Sequence, residues 1–171
     1  MKRLLILFLI FLLTFQLGAC SYGQNGIIEP VEFFYQCRST SDSIPKSVIS
    51  SEIREATGHT SDLNYLLSLY MQGPLNPELQ SPFPAGCSLL SVTRNGDTLM
   101  VLLDATIMKA DQIQQTITCA CIARTCLALT DVAQVQIKAA VPESANSLDM
   151  IITRDNLLLE DAANNPTEEN P

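Results

Sequence analysis

The sequence contains very little of what most catalytic sites require. Histidine occurs once, as His59, so a serine hydrolase triad would have to use that residue as its base. His59 lies in a loop ahead of a predicted helix start, and the sequence has no Gly-x-Ser-x-Gly elbow, glycine-rich phosphate loop or calcium-loop pattern. The carboxylates are scattered, and nothing marks Glu78 and Asp104, or any other pair, as the two acids of a glycosidase. We therefore predict a protein that is not an enzyme and has no cofactor, with His59 in a capping or surface role.

Positive charge is also scarce. The chain carries 10 Lys and Arg residues against 18 Asp and Glu residues, a net charge of -8. Removal of residues 1–19 would take away Lys2 and Arg3 and no acid, which gives 8 − 18 = -10. An acidic surface disfavours nucleic acid and non-specific adhesion to anionic polymers. We therefore expect no nucleic-acid partner.

The N-terminal apolar run is too short to span a membrane. Leu4–Phe15 is apolar except for Thr14, whereas a spanning helix needs about 20 such residues. Lys2-Arg3 precedes the run and Leu17-Gly18-Ala19-Cys20 follows it, a pattern that indicates a lipoprotein signal peptide over residues 1–19. An ordinary cleaved signal peptide and a short membrane anchor are the alternatives.

In the lipoprotein interpretation the Cys20 thiol is the lipidation site. Each buried CH₂ contributes about 0.8 kcal/mol, and two acyl chains hold a protein that one chain alone holds marginally. Residues 20–30 would then be a tether with Gly23 and Gly26. We expect the mature protein to be lipid-anchored on the outer face of a bacterial membrane.

Five cysteines remain once Cys20 is assigned to lipidation. An odd number indicates a free thiol or an intermolecular bridge, or else reduced thiols that pack as small apolar residues. Cys119 and Cys121 would point to different sides of a helix, and Cys119 and Cys126 would be about 10 Å apart along it, too far for a disulfide. We predict that these three are buried and bind no metal. The sequence does not decide whether Cys37 and Cys87 form a bridge.

Periodicity and turn residues predict an α+β fold. Apolar residues recur at helical spacing from Leu63 to Met71, with an N-cap among Thr60–Asp62 and a stop at Gly73-Pro74. Two β-prone runs joined by Asn95-Gly96 predict a hairpin with a type I′ turn. The predicted segments, in order, are strand Val31–Gln36, an ambiguous Val48–Glu55, hairpin strands Cys87–Arg94 and Thr98–Asp104, helix Lys109–Leu129, strand Val132–Ala139 and a docked strand and turn over Leu148–Leu159.

The order of these motifs resembles the GerMN domain, the module of sporulation and germination proteins that also occurs in some envelope lipoproteins. The resemblance covers roughly Val31 to Ala140 and rests on the following motifs: Ile53-Arg54-Glu55, Leu66-Leu67, Gly73-Pro74, Leu79, Pro84-Ala85-Gly86, Leu89-Leu90-Ser91-Val92, Leu103-Asp104-Ala105-Thr106, Arg124-Thr125-Cys126-Leu127 and Val135-Gln136-Ile137. It implies one compact domain over residues 31–159, with two helices packed on a mixed or antiparallel sheet of about four to five strands. Residues 160–171, rich in acids, Pro and Asn, are predicted to be a disordered acidic tail.

The resemblance also implies a non-catalytic binding or scaffolding role in sporulation, germination or cell-envelope assembly. The expected partner is another envelope protein or peptidoglycan, and the oligomeric state is open. The alternatives are an accessory module of a wall hydrolase system and a solute-binding lipoprotein. The C-terminal half of the second helix is apolar nearly all round, so Ile122, Cys126 and Leu129 are the predicted docking surface, provided that Leu148–Leu159 does not cover them.

Overall fold

The computed structural model describes residues 29–39, 47–141 and 147–156. Within these ranges the chain forms seven strands and two α-helices. In chain order the elements are β1 (Pro30–Cys37), β2 (Ile49–Glu55), α1 (Leu63–Met71), β3 (Leu79–Gln80), β4 (Leu89–Asn95), β5 (Thr98–Leu103), a 3-10 helix (Ala105–Lys109), α2 (Gln112–Leu129), β6 (Gln134–Ala139), β7 (Asp149–Thr153) and a second 3-10 helix (Arg154–Asn156).

The strands form two sheets. The first has the order β2-β1-β3 with antiparallel pairing throughout, and the second has the order β4-β5-β6-β7. In the second sheet β5 and β6 run parallel, joined by the crossover that contains α2, while the outer pairs are antiparallel. The predicted α+β class with two helices is confirmed, but the strands number seven in the described residues and are divided between two sheets.

Local capping residues set the bounds of both α-helices. The Asp62 carboxylate accepts a hydrogen bond from the Tyr65 N–H at 3.1 Å, and the Asp111 carboxylate accepts one from the Gln114 N–H at 2.8 Å. These bonds satisfy N–H groups that lack a partner in the first turn of a helix. After α1, Gly73 takes a φ of 88°, a conformation that glycine adopts without strain. The second helix begins three residues later than predicted because Lys109 belongs to the preceding 3-10 helix.

The hairpin forms as predicted, but its turn is shifted by one residue. Asn95 pairs with Thr98, so the central turn residues are Gly96 and Asp97 and not Asn95 and Gly96. Gly96 has a φ of 59° at the first central position. Asn95 extends β4 because its backbone pairs with Thr98 of β5. The preference of asparagine for turns does not prevent this pairing.

Helix α2 is covered on both sides. One side contributes Cys119, Ile122 and Cys126 to the main core between the two sheets. The other side contributes Ala120 and Cys121 to a smaller core with Ile49, against which Phe34 packs. Burial on both of these sides explains why the C-terminal half of the helix is apolar on more than one face.

The predicted docking surface on this helix is therefore wrong. Ile122 is 2% exposed and Cys126 is fully buried, while Leu129 is partly buried and packs on the main core. The main core also includes Leu148 and Ile152, so the described part of the segment that we named as a cover, residues 148–156, does pack on the domain. The apolar excess of α2 is used within the fold.

The open edge of β1 is closed by side chains. Along most of its length β1 pairs only with β2, because β3 pairs with its last two residues alone. At Phe34 the backbone N–H donates to the Thr125 hydroxyl at 2.9 Å, and the backbone carbonyl accepts from the Tyr70 hydroxyl at 2.8 Å. Thr125 and Tyr70 come from α2 and α1 and are buried. Both helices are thus joined to the same strand residue by hydrogen bonds.

A buried ion pair joins β2 to the end of α1. The Arg54 guanidinium bonds to the Glu52 carboxylate at 2.6 Å and donates to the carbonyls of Leu69 and Gly73. Glu52 also accepts from the backbone N–H groups of the loop that follows, with a distance of 2.8 Å from Leu75 N. The positive charge lies at the carbonyl end of α1, where the helix dipole favours it.

Candidate functional site

The proposed lipidation site lies outside the described residues. Cys20, the signal peptide over residues 1–19, most of the tether and the acidic tail over residues 160–171 all fall in the undescribed ranges. Within the described ranges, neither α-helix combines the length and apolarity that a bilayer crossing requires. The assignment of Cys20 stays a prediction from the sequence.

His59 lies in the exposed turn before α1. Its ring stacks on Tyr65 with a centroid distance of 4.2 Å. Its backbone N–H donates to the Ala56 carbonyl at 2.8 Å, and its own carbonyl accepts from the Asp62 N–H at 3.0 Å. These contacts shape the turn that presents the N-cap of α1, which confirms the predicted surface role.

The three cysteines of α2 are packed as small apolar residues. Burial raises the pKa of Cys119 and of Cys126 to about 12, and burial likewise raises the pKa of Cys121. A thiol is a nucleophile or a metal ligand only as the thiolate, and these pKa values keep the thiols protonated at neutral pH. The prediction that the three are buried is confirmed.

Cys37 and Cys87 are partly buried free thiols, so the bridge that the sequence left open is not formed in the structure. Burial first, and then the neighbouring Asp104, raises the pKa of Cys87 to about 11. Burial likewise raises the pKa of Cys37. Across residues 29–39, 47–141 and 147–156, no three His, Cys, Asp or Glu side chains are grouped closely enough to hold a metal ion.

Asp104 has a structural role at the end of β5. Its carboxylate accepts from the Thr106 N–H and the Ser88 N–H, each at 2.8 Å, and also from the Ser88 hydroxyl. The Ser88 hydroxyl and these backbone donors hold its pKa at about 2, so it stays ionised as a cap. In the part of the chain that the structure describes, no hydrogen bond joins it to Glu78.

One cavity in the described part of the core is too small for a solute. A cavity bordered by Tyr70, Phe83 and Ile122 has a volume of about 10 Å³. That volume is at the lower limit for one water molecule, and an apolar lining favours an empty cavity.

A surface groove lies between β1 and the C-terminal part of α2. Its volume is about 500 Å³. We call it the β1–α2 groove and define it by its lining residues, Glu32, Phe34, Arg124, Leu127, Ala128 and Arg154. The alternation of β1 places Glu32 and Phe34 on the sheet face opposite to the buried Val31, Phe33 and Tyr35.

Two arginine side chains, Arg124 and Arg154, line the groove in a protein that is strongly acidic overall. The Arg154 guanidinium donates through Nη2 to the carbonyls of Leu127 at 2.7 Å and Thr130 at 3.4 Å. These bonds satisfy carbonyl groups at the end of α2 and hold the guanidinium at the groove. The Arg124 guanidinium lies 4.7 Å from the centre of the Phe34 ring, a cation–π contact between α2 and β1.

The sheet face continues beyond the groove with an exposed apolar residue. Ile53 pairs with Glu32 across β1 and β2 and so lies on the same face. It is 70% exposed, because α2 covers the other end of this face, around Ile49 and Phe34. The groove therefore lies next to an exposed apolar residue of the same sheet face.

Comparisons with known proteins identify the family of this chain. The Germane family, described as sporulation and spore germination, matches residues 31–140. The chain belongs to the Germane family. None of the curated proteins matches.

Two solved structures resemble this Germane chain. One is the tandem GerMN domains of the sporulation protein GerM from Bacillus subtilis, with 15% identity and a TM-score of 0.50 over 72% of this chain and 43% of that chain. The other is a "putative lipoprotein" from Clostridium perfringens, with 17% identity and a TM-score of 0.47 over 77% of this chain and 93% of that chain. At 15% identity the likeness to the tandem domains shows the fold alone. The GerMN resemblance inferred from the sequence is confirmed.

Sequence reasoning did not find the groove. The apolar residues Ile122, Cys126 and Leu129 of α2 were chosen as the binding surface, whereas the groove is lined by Arg124 and Ala128 of the same helix. The available signal was Arg124 itself, the only charged residue within Gln112–Leu129. A charge in a helix otherwise free of charges marks the side that faces solvent or a ligand.

Proposed function

We propose that this Germane protein is a non-catalytic, lipid-anchored binding or scaffolding component of the bacterial cell envelope, acting in sporulation, germination or envelope assembly. The observation that carries the proposal is the family match over residues 31–140. The domain acts through contacts with a partner, which is another envelope protein or peptidoglycan.

The chemistry of the described side chains supports a role without catalysis. The buried thiols have pKa values far above neutrality, His59 is stacked on Tyr65 in a turn, and Asp104 is a cap. Each of these groups has a structural task in the fold. A binding role requires only a stable surface, which two packed sheets and two helices supply.

Anchoring at Cys20 completes the proposal. Two acyl chains on Cys20 would hold the domain at the outer face of the membrane. The residues from 20 to the start of β1 at Pro30 would then separate it from the lipid. The excess of 18 acids over 8 cations in the mature chain would limit non-specific adhesion to anionic lipid and wall polymers.

The anchor is tested by Cys20→Ala in cells grown with labelled palmitate. We expect the parent protein to carry the label and to fractionate with membranes, and the variant to lose the label and to be released or left unprocessed. Cys37→Ala is the matched control, since it removes a thiol within the domain. Equal labelling of parent and Cys20→Ala protein would rule out the lipoprotein assignment.

The envelope role is tested by following a tagged copy in growing and in sporulating cells. We expect the tag at the cell periphery, and enrichment at the septum or the forespore when spores form. Cleavage of purified peptidoglycan by the purified protein would refute the non-catalytic assignment.

A further inference from the structure

The outer edge of β2 has no partner strand within the described residues. β2 lies at one end of the β2-β1-β3 sheet and pairs with β1 over its whole length without a register shift. Natural proteins usually protect such an edge with a bulge, a proline, a lysine or a covering segment. β4, the other edge strand of seven residues, carries a bulge between Leu89 and Ser91, whereas β2 contains no bulge, proline or lysine.

The pairing with β1 shows which backbone groups of β2 face the open edge. The Ala56 N–H donates to the Glu29 carbonyl at 3.2 Å. Because hydrogen-bonded pairs alternate along antiparallel strands, the even-numbered residues of β2 turn their backbone groups toward β1. The N–H and C=O groups of Ser51, Ile53 and Glu55 therefore face away from β1, and they form no hydrogen bond with the described residues.

An exposed apolar side chain accompanies these free backbone groups. Ile53 is 70% exposed, and the alternation of the strand places it on the face opposite to the Glu52–Arg54 ion pair. Free N–H and C=O groups and an apolar side chain are the features of an edge that favour the addition of another strand.

The charges of β2 match those of a second β2 in one register. Antiparallel pairing about Ile53 sets Glu52 opposite Arg54 of the other copy, and Ile53 opposite Ile53. Opposite charges that face each other across an antiparallel pair are favourable, and like charges are unfavourable. A shift of the two-fold axis by one residue sets Glu52 opposite Glu52 in one direction and Arg54 opposite Arg54 in the other. The charges therefore favour the register centred on Ile53.

The geometry points to the open edge of β2 as the contact between two copies of this chain. The two β2 strands pair antiparallel about Ile53 and join the two β2-β1-β3 sheets into one continuous sheet. The backbone groups of Ser51 and Glu55 bond to those of Glu55 and Ser51 in the second copy, and the two Ile53 side chains pack on each other. The same patch is used on both copies, as two-fold symmetry requires. This inference goes beyond the proposed function, because it names a second copy of the chain as a partner.

The first test is disulfide crosslinking of full-chain Ile53→Cys in intact cells. Facing residues of a hydrogen-bonded antiparallel pair have Cα atoms about 5.5 Å apart, a separation that a disulfide spans. Diamide, which oxidises neighbouring thiols to a disulfide, should convert most of this variant to a covalent dimer. Glu55→Cys is the matched control, because the register places its two copies about 13 Å apart. Glu55→Cys and Ser51→Cys produced together should crosslink, since these positions face each other.

The second test uses a matched pair of charge variants and needs no added thiol. Ile53→Lys would place two ammonium groups opposite each other at the axis and should leave the full chain monomeric in sedimentation equilibrium in density-matched detergent. Ile151→Lys changes an isoleucine of the edge strand β7 that is 52% exposed, and it should dimerise like the parent. Both side chains are exposed, so both variants should melt close to the parent.

The outcomes separate this inference from the proposed function. A monomeric parent at about 1 millimolar, roughly the weakest affinity worth assigning, would overturn the inference. Crosslinking of Ile53→Cys no greater than that of Glu55→Cys, or dimerisation of Ile53→Lys equal to that of the parent, would also overturn it. A disulfide between Ile53→Cys and a different protein would show that another chain pairs with β2 and would refute self-pairing. Labelling at Cys20 and localisation are read independently of this edge.

Discussion

Replacement of Thr125 by valine should destabilise the domain, although the two side chains have nearly the same shape. Thr125 is fully buried on α2, and its hydroxyl accepts the hydrogen bond from the Phe34 N–H at 2.9 Å. Valine keeps the volume but has no acceptor. The Phe34 N–H would then be left without a partner, because β3 pairs with β1 only at Gln36 and Cys37.

The size of the effect follows from that single group. A buried donor without a partner costs about 1–3 kcal/mol. For a domain of this length each kcal/mol lowers the melting temperature by about 2–4 °C, so we expect a decrease of about 2–12 °C. The pairing of β1 with β2 is untouched, so the native fold should be retained.

The assay is urea unfolding followed by circular dichroism, with Thr116→Val as the matched control. Thr116 lies on the same helix, is exposed, and its hydroxyl bonds only to the Gln112 carbonyl one turn earlier. We expect the control to change the free energy of unfolding by less than about 0.5 kcal/mol. The slope of the free energy against urea should be unchanged in both variants.

A double-mutant cycle with Tyr70→Phe sharpens the test. The Tyr70 hydroxyl donates to the Phe34 carbonyl at 2.8 Å, so it bonds to the same residue whose N–H donates to Thr125. Side chains in one hydrogen-bond network show coupling energies of about 0.5–3 kcal/mol. Strictly additive effects, or a Thr125→Val variant as stable as Thr116→Val, would refute the claim that these hydroxyls close the edge of β1.

Three further predictions concern other parts of the fold. Gly96→Val should cost about 1–3 kcal/mol, because a β-branched residue is strained at a φ of 59°, while Gly96→Asn should melt close to the parent; equal melting of the valine variant would refute the turn assignment. Glu52→Gln should cost about 1–3 kcal/mol at pH 7. Burial raises the pKa of Glu52, but hydrogen bonds from the Asn76 N–H, Arg54 and the Leu75 N–H outweigh it and leave the folded-state pKa below 4.5. The ionised group therefore stabilises the fold at pH values above its unfolded-state pKa, and this stability is lost as the pH falls through the folded-state pKa. The free energies of unfolding of the parent and of Glu52→Gln, measured from pH 7 to pH 3, should therefore converge as the pH falls. A constant difference between the two would contradict this prediction. Ile122→Gln should unfold the domain, because lost packing and a buried amide together cost about 3–5 kcal/mol. A variant that stays folded but no longer binds a partner would instead support the docking surface on α2 that the structure contradicts.

Local signals predicted the bounds of the first helix well. The cap Asp62 and the stop at Gly73 act on backbone groups within a few residues, so their effect is visible in a short stretch of sequence. The burial of Cys119 and Cys126 was predicted for the same reason, since helical spacing placed them in an apolar setting. The hairpin was found because Gly96 is compatible with a tight turn, although pairing of the flanking backbone moved that turn by one residue.

The sequence by itself determined the class of the domain, its family and the bounds of most elements, because periodicity, caps and turns are short-range properties. Only the tertiary structure decided what covers each apolar surface. The apolar pattern of α2 indicates that its faces are covered, by the same domain or by a partner. The residues that cover them include Phe34 and Ile152, which lie far from α2 in the sequence. The division into two sheets, the closure of β1 by Thr125 and the β1–α2 groove all arise from such distant contacts, and no local pattern encodes which distant residues meet.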